Sequence, residues 1–436
     1  MTVNRLPPAV GPSRRSLLKS TAAVLTLAAA KSAFPFGAAA AQGAGPETKK
    51  AVLGFIALTD AAPLIIAKEK GFFAKHGMAD VEVLKQASWG TTRDNLVLGS
   101  AGNGIDGAHI LTPMPYLMAA GKVTQNGVPL PMAILARLNL DGQGISVAKD
   151  YLDLKVGLDA SVLKAAFDAR RAAGNPAKAA MTFPGGTHDL WLRYWLAAGG
   201  IDPDADVETI VVPPPQMVAN MKVGTMDCFC VGEPWNEQLV NQKVGYSALT
   251  TGELWAGHPE KSLGMRADWV DANPNAAKAL TMAVQEAQIW CDTMENKDEL
   301  AAIVSKRAWF NVPANDIVDR LKGEYDYGDG RVVKDSPHFM KFWRDHASYP
   351  FQSHDLWFLT EDIRWGKFEP TLDRKALIAQ VNREDIWRAA AKDLGVPAAD
   401  VPASTSRGKE TFFDGKVFDP GAPDTYLASL DIKRIA

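Results

Sequence analysis

Cysteine is scarce in this chain, with three in 436 residues: Cys228, Cys230 and Cys291. Cys228 and Cys230 stand two apart on a stretch that reads as a strand, where both point to one face and cannot readily bridge each other. There is no CxxC and no His/Cys ligand spacing, so a disulfide framework and a metal site are poorly supported and buried free thiols are expected. A G-x-S-x-G nucleophile elbow is missing too. The intervals between His109, His188 and His258 match no helical ligand pair, so nothing specifies an enzyme. Internal repeats are absent. With 47% hydrophobic and 22% charged residues, the composition is that of a globular protein long enough for two domains with their own cores.

Acidic residues are absent from the first 41 positions, whose only charges are Arg5, Arg14, Arg15, Lys19 and Lys31. Ser13-Arg14-Arg15-Ser16-Leu17-Leu18-Lys19 is a twin-arginine pattern, followed by the mildly apolar run Ala22 to Ala30 and by Ala39-Ala40-Ala41. The run is too short and too rich in alanine to span a bilayer stably. Residues 1–41 therefore read as an export signal for the twin-arginine route to the periplasm. No cysteine stands at the cleavage position, which argues against a lipid anchor. Subtracting those five cations from 47 leaves 42 basic against 50 acidic side chains in the remaining 395 residues, a formal charge of −8. Such a chain repels anions globally, so nucleic acid is not an expected partner and an anion site has to be built locally.

Local construction of that kind is visible in Phe183-Pro-Gly-Gly-Thr187-His188-Asp-Leu-Trp191-Leu-Arg-Tyr194-Trp195. The glycine pair reads as a loop, Thr187 is placed to cap a helix, and Leu190, Trp191, Tyr194 and Trp195 recur at one-faced helical spacing. His188 then falls in the first turn, where free backbone N–H groups and the positive end of the helix dipole favour a small anion. An exposed histidine on a capped helix is the plain alternative.

The rest of the chain alternates. Ala51 to Leu58 reads as a strand, Asp60 as an N-cap with Pro63 in the first turn of the next helix, and Asp80 to Lys85 as a strand of alternating polarity. Trp89 and Gly90 occupy the turn before a helix whose capping box is Thr91 with Asp94. Strands are expected at Ile105–Leu111, Pro131–Leu138 and on toward Ala148, with Gln143 set between Gly142 and Gly144. Units of the same kind continue through Ala179–Phe183, Glu208–Val212 and Met226–Val231 into Gly232-Glu233-Pro234-Trp235. Strand–helix alternation over some 200 residues predicts an α/β fold with largely parallel sheets and a ligand at the carboxyl ends of the strands. Trp89, Gln143, His188 and Gly232 all fall at that end. Thr250 to Lys261 reads as a loop, Asn275 to Thr293 as a long helix, the aromatic stretch around Phe339–Trp343 as helical, and Pro397 to Ala436 as a surface tail.

Several runs together resemble a known family: Gly54 to Lys68, Gln86-Ala-Ser-Trp89-Gly-Thr-Thr-Arg-Asp-Asn-Leu96, Gly107-Ala-His109-Ile-Leu-Thr-Pro-Met-Pro115, Gly142-Gln-Gly-Ile-Ser-Val-Ala148 and Cys230-Val-Gly-Glu-Pro-Trp-Asn236. The chain is similar over nearly all of its length beyond the signal to substrate-binding proteins of the nitrate/nitrite and bicarbonate ABC importers. The resemblance implies a two-lobed type II periplasmic-binding-protein fold, each lobe a mixed, largely parallel sheet flanked by helices. Residues 42–148 would form the first part of lobe 1, 149–249 lobe 2, and 250–436 the return to lobe 1 with a helical extension. The implied partners are a membrane permease and its ATPase, and no cofactor is implied.

Nitrate accepts hydrogen bonds through three oxygens and donates none, whereas bicarbonate carries a hydroxyl that needs an acceptor. The resemblance implies an acidic residue and a bound calcium ion in the bicarbonate branch where the nitrate branch uses a lysine. The matching positions here, His188 and Lys261, are both donors, and the same carry-over adds Trp89, Gly90, Gln143 and Gly232 to the ligand site. Nitrate, with nitrite through the same donors, is therefore the expected ligand, and bicarbonate the alternative within the family. A cytoplasmic nitrate sensor acting on gene expression is an alternative of another class, which the export signal opposes. If His188 acts as an imidazolium, affinity should fall as pH rises past its pKa.

Overall fold

The computed structural model describes residues 45–435, so residues 1–41, read above as an export signal, lie outside the described residues. Two five-stranded sheets organise the chain. The first contains β1 (Lys50–Phe55), β2 (Asp80–Lys85), β3 (Gly107–Leu111), β4 (Met132–Arg137) and a late strand, β10 (Lys261–Arg266). The second contains β5 (Gln143–Ala148), β6 (Ala177–Met181), β7 (Val207–Val211), β8 (Cys228–Gly232) and β9 (Gly245–Thr250). Their orders, β2-β1-β3-β10-β4 and β7-β6-β8-β5-β9, repeat one plan. Four strands run in one direction, three of them adjacent, and one strand arriving from the other sheet's part of the chain is inserted antiparallel between the third and the fourth. The sheets are thus mixed. β5 belongs to the second sheet, which therefore begins before residue 149, the start expected for lobe 2.

Each exchange strand makes a crossover between the lobes, and the two crossovers lie side by side. Leu138 N–H donates to the Lys261 carbonyl at 2.8 Å, and Asp141 N–H to that of His258 at 3.0 Å. Gly142, at φ 84° in the first crossover, takes the turn into β5 where a Cβ would also strike Met340. The stretch Phe339–Trp343, expected to be helical, extends this pairing instead, with Leu140 and Lys341 exchanging both backbone hydrogen bonds. A helix there would forfeit that bridge between distant segments.

Helices cover the sheets. Those that matter for the site are α1 (Ala62–Glu69), with Pro63 in its first turn; α2 (Trp89–Leu98); α3 (Thr187–Ala198); α4 (Pro274–Asp292); and α5 (Gln352–Arg364). Three local expectations are corrected. The cap of α2 is Ser88, whose Oγ accepts from Thr91 N–H at 3.1 Å, so Trp89 and Gly90 lie inside the first turn and Asp94 turns to Arg93. Asp60 caps nothing, because it sits within a 3-10 turn and its carboxylate points elsewhere. The N-cap of α3 is Gly186, and the Thr187 hydroxyl is spent on Glu260.

Nor is α3 one-faced, since every residue from Thr187 to Leu196 is buried. One side packs on the second sheet, and Trp357 of α5 stacks on Trp191 at 4.9 Å from the other side. The tail belongs to the same cluster, with Phe412, Phe418, Tyr426 and Leu430 buried in it. The tail runs over the surface as expected, with most of its residues exposed or half-buried, and these apolar side chains anchor it to the second lobe's core because they gain more from burial than from solvent. The three cysteines are buried and unbridged. Among the described residues, no helix is long and apolar enough to cross a membrane.

Candidate functional site

The paired crossovers place Gln143, at the start of β5, and Lys261, at the start of β10, beside the ends of β8 and β3. Lys261 is fully buried, and its Nζ lies 2.9 Å from Asp60 Oδ2, 2.6 Å from Glu260 Oε1, 3.5 Å from Gln143 Oε1 and 3.4 Å from His188 Nε2. The Trp89 ring stands 6.0 Å away, packed 5.3 Å from the His109 ring. Gly232 is opposite Gln143 in the β5–β8 ladder, where an added Cβ would run into Gln143 Oε1 and meet Leu58 Cδ2 at 3.2 Å. Here the need is close approach, since the position has no positive φ. Trp89, Gln143, His188, Gly232 and Lys261 therefore converge, and Gly90 adjoins them, half-buried, in the first turn of α2.

The electrostatics follow from two carboxylates sharing one ammonium. Asp60 Oδ1 accepts from His109 Nε2 at 2.6 Å, and Oδ2 accepts from Gln143 Nε2 at 3.1 Å as well as from Lys261. Burial alone would raise the Asp60 pKa, but Lys261 and His109 outweigh it and hold the carboxyl below its ordinary value. Glu260 Oε1 meets Lys261 and the Thr187 hydroxyl, and Oε2 accepts from Trp191 Nε1 at 2.7 Å. For this group burial wins and the pKa is raised. Burial disfavours the Lys261 ammonium, yet Asp60 and Glu260 together push its pKa up.

The histidines are neutral. Burial, and then Lys261, holds His188 well below the ordinary imidazole value. Its Nδ1 accepts from the Thr182 hydroxyl at 2.6 Å, and its Nε2–H donates to Gln143 Oε1 at 2.8 Å. The imidazolium considered from the sequence is thereby corrected: with the ammonium 3.4 Å from Nε2, a second positive charge on the ring is repelled. His258 is lowered to about 3, chiefly by burial, and donates from Nδ1 to the Pro259 carbonyl while Nε2 accepts from Thr251. Among the described residues, no group of three or more His, Cys, Asp or Glu is arranged to hold a metal ion.

Two buried donors at this junction have no partner among the described residues, Trp89 Nε1 and the hydroxyl of Thr59 beside Asp60. Unpaired buried donors are rare and costly, and they mark where an acceptor belongs. Asp60, His109, Glu260 and His258 were not legible as site residues. His109 and His258 stood out only as an unmatched set, and Asp60 and Glu260 looked like a cap and a loop residue.

A family model described as the NMT1-like family matches residues 44–305. The chain belongs to that family. Within the NMT1-like family it is 66% identical over 391 residues to the nitrate/nitrite binding protein NrtA of Synechocystis sp. strain PCC 6803, covering 89% of this chain and 86% of that protein. The crystal structure of the periplasmic nitrate-binding protein NrtA from Synechocystis PCC 6803 superposes with a TM-score of 0.87 at 65% identity, over 89% of this chain and 100% of that one. The bicarbonate-binding protein CmpA of Synechococcus sp. strain PCC 6301 is more distant, 47% identical over 397 residues, 89% of this chain and 88% of CmpA. The nitrate import ATP-binding protein NrtC of the same Synechocystis strain is 36% identical over 396 residues, 90% of this chain and 57% of NrtC. The two-lobed fold expected for this NMT1-like chain is thus the fold of a solved nitrate-binding relative.

Proposed function

We infer that this protein captures nitrate, and nitrite through the same donors, in the periplasm and delivers it to an ABC importer. It does so as a binding protein, not an enzyme. The observation that carries the reading is Lys261, an ammonium with no exposure, held where both crossovers meet and ringed by the His188 N–H and the unspent Trp89 N–H. A planar anion that only accepts hydrogen bonds suits such donors, and in a cleft shielded from water each charge-assisted bond counts for more. Trp89, Gly90, Gln143, His188, Gly232 and Lys261 are the proposed contacts. A lysine rather than a carboxylate at position 261, together with the higher identity to NrtA than to CmpA, favours nitrate over bicarbonate. Closure of the two lobes about the crossovers encloses the ligand.

Isothermal titration of residues 42–436 with nitrate, nitrite and bicarbonate, the last with and without calcium, tests the reading. Heat with nitrate that disappears in Lys261→Glu is the expected result. Silence with nitrate and calcium-dependent heat with bicarbonate would move the chain to the bicarbonate branch. Export by the twin-arginine route is the matching proposal for residues 1–41. Replacing Arg14 and Arg15 together by lysine should hold the protein in the cytosol, whereas the wild type appears in the osmotic-shock fraction. Finding the wild type in the cytosol would favour the regulatory alternative.

A further inference from the structure

The cleft holds more negative charge than a nitrate site calls for. Asp60 and Glu260, both unexposed, compete for one ammonium, and the three surrounding histidines are neutral, so the cluster already sums to one negative charge. A monoanion added to it brings a second uncompensated charge into a region of low dielectric, where repulsion is strong. Something has to give up a charge. We propose that Glu260 takes up a proton from solvent as nitrate enters the cleft, so that the Lys261 ammonium turns from the Glu260 carboxylate to the anion. This rests on the nitrate reading above. One O–H bond forms on Glu260, the Lys261–Glu260 ion pair opens, and nitrate and proton enter together as a neutral pair.

Glu260 is singled out by what faces it. Asp60, in the turn after β1, is held ionised by His109, Gln143 and Lys261. His109, on β3, already donates from Nε2, and its Nδ1 faces the Ile56 backbone N–H at 3.5 Å. His188, on α3, has Nε2 3.4 Å from the ammonium and 3.5 Å from Glu260 Oε1, and its Nδ1 accepts from the Thr182 hydroxyl. His258, on the second crossover, lies 3.8 Å from Glu260 Oε2 with both nitrogens engaged. Cys230, on β8, is kept a neutral thiol by burial and by the Glu260 charge. That leaves Glu260, whose Oε1 lies on Lys261 itself and whose acid form burial favours.

Nitrate titration calorimetry in buffers of different ionisation enthalpy measures the proton count directly. The wild type should take up about one proton per nitrate, with Kd weakening by up to about tenfold per pH unit above the pKa of Glu260 in the unliganded protein. The sign follows from a pKa that nitrate raises: binding is strongest at low pH and weakens as pH rises toward the bound-state value. Glu260→Gln, near-isosteric and uncharged, should bind nitrate with no proton uptake and a flat pH profile. Should that variant not fold, a nitrate-minus-unliganded infrared difference spectrum of the wild type should still show a new protonated-carboxyl band. Nitrate binding without proton uptake, uptake that persists in folded Glu260→Gln, or no such band overturns the proposal. Absence of any nitrate binding overturns instead the functional reading beneath it.

Discussion

Arg137 and Lys261 lie on the adjacent antiparallel strands β4 and β10, and neither is exposed, yet they are partnered in different ways. Arg137 faces away from the cleft, toward the C-terminal extension, where its guanidinium pairs with Asp355 of α5 and donates to Ser262 Oγ at 2.8 Å. Asn382 completes Asp355 at 2.8 Å. One cation meets one carboxylate, and the planar fork fixes the geometry. Lys261 faces the cleft with one charge for two carboxylates, Asp60 and Glu260, on a flexible stem. The matched pair ties the extension to the first sheet. The unmatched one leaves a cation able to change partners. Burial is the same in both cases, and what differs is stoichiometry and side-chain type.

The comparison can be broken from either end. The largest effect is expected for Arg137→Ala, which strands the Asp355 carboxylate in the core: a loss of about 3–5 kcal/mol of stability, read as a lowered unfolding midpoint. Lys261→Gln should act on binding as well, weakening nitrate by about 2–5 kcal/mol, thirty-fold or more in titration calorimetry, and should also lower the unfolding midpoint because Asp60 and Glu260 lose their shared cation. Acid should destabilise the fold through His258 and His354, which burial lowers to about 3. Their contribution is complete above the unfolded value near 6.5 and declines as pH falls toward 3, by up to about 1.4 kcal/mol per histidine per pH unit, measurable by denaturant titration across that range.

Smaller effects sharpen the cleft side. Gly232→Ala forces Gln143 aside and should cost about 1–3 kcal/mol of stability with a parallel loss of nitrate affinity, because its Cβ has no room. Trp89→Phe keeps most of the buried ring and removes an N–H that pairs with nothing among the described residues. Stability should hold or rise slightly while nitrate binding weakens by about 1 kcal/mol. Equal binding by the two proteins would mean that the indole only walls the cleft.

Much of this architecture was legible. Strand-length apolar runs, helix spacing and alternation located β1, β2, α4 and most of the second sheet to within a few residues, because those signals depend on neighbours in sequence. Failures gathered where a residue's partner is remote. The Asp60 carboxylate sits in a plausible capping position but is bound to His109 and Lys261, residues 49 and 201 positions away. Thr187 is in the same case, drawn to Glu260. The tail runs over the surface as its composition suggests, but its aromatic anchors went unread, since nothing in that composition reveals that Trp357 and Tyr194 wait to cover Phe412.

By itself, the sequence determined the α/β class, the export-signal pattern and the family, because each is written in local spacing or in recognisable runs. Only the tertiary structure decided that His188 is neutral, that Lys261 serves two carboxylates and that Glu260 faces the cleft. Those properties depend on desolvation and on distances of a few ångströms between groups that the two crossovers bring together from far apart in the chain.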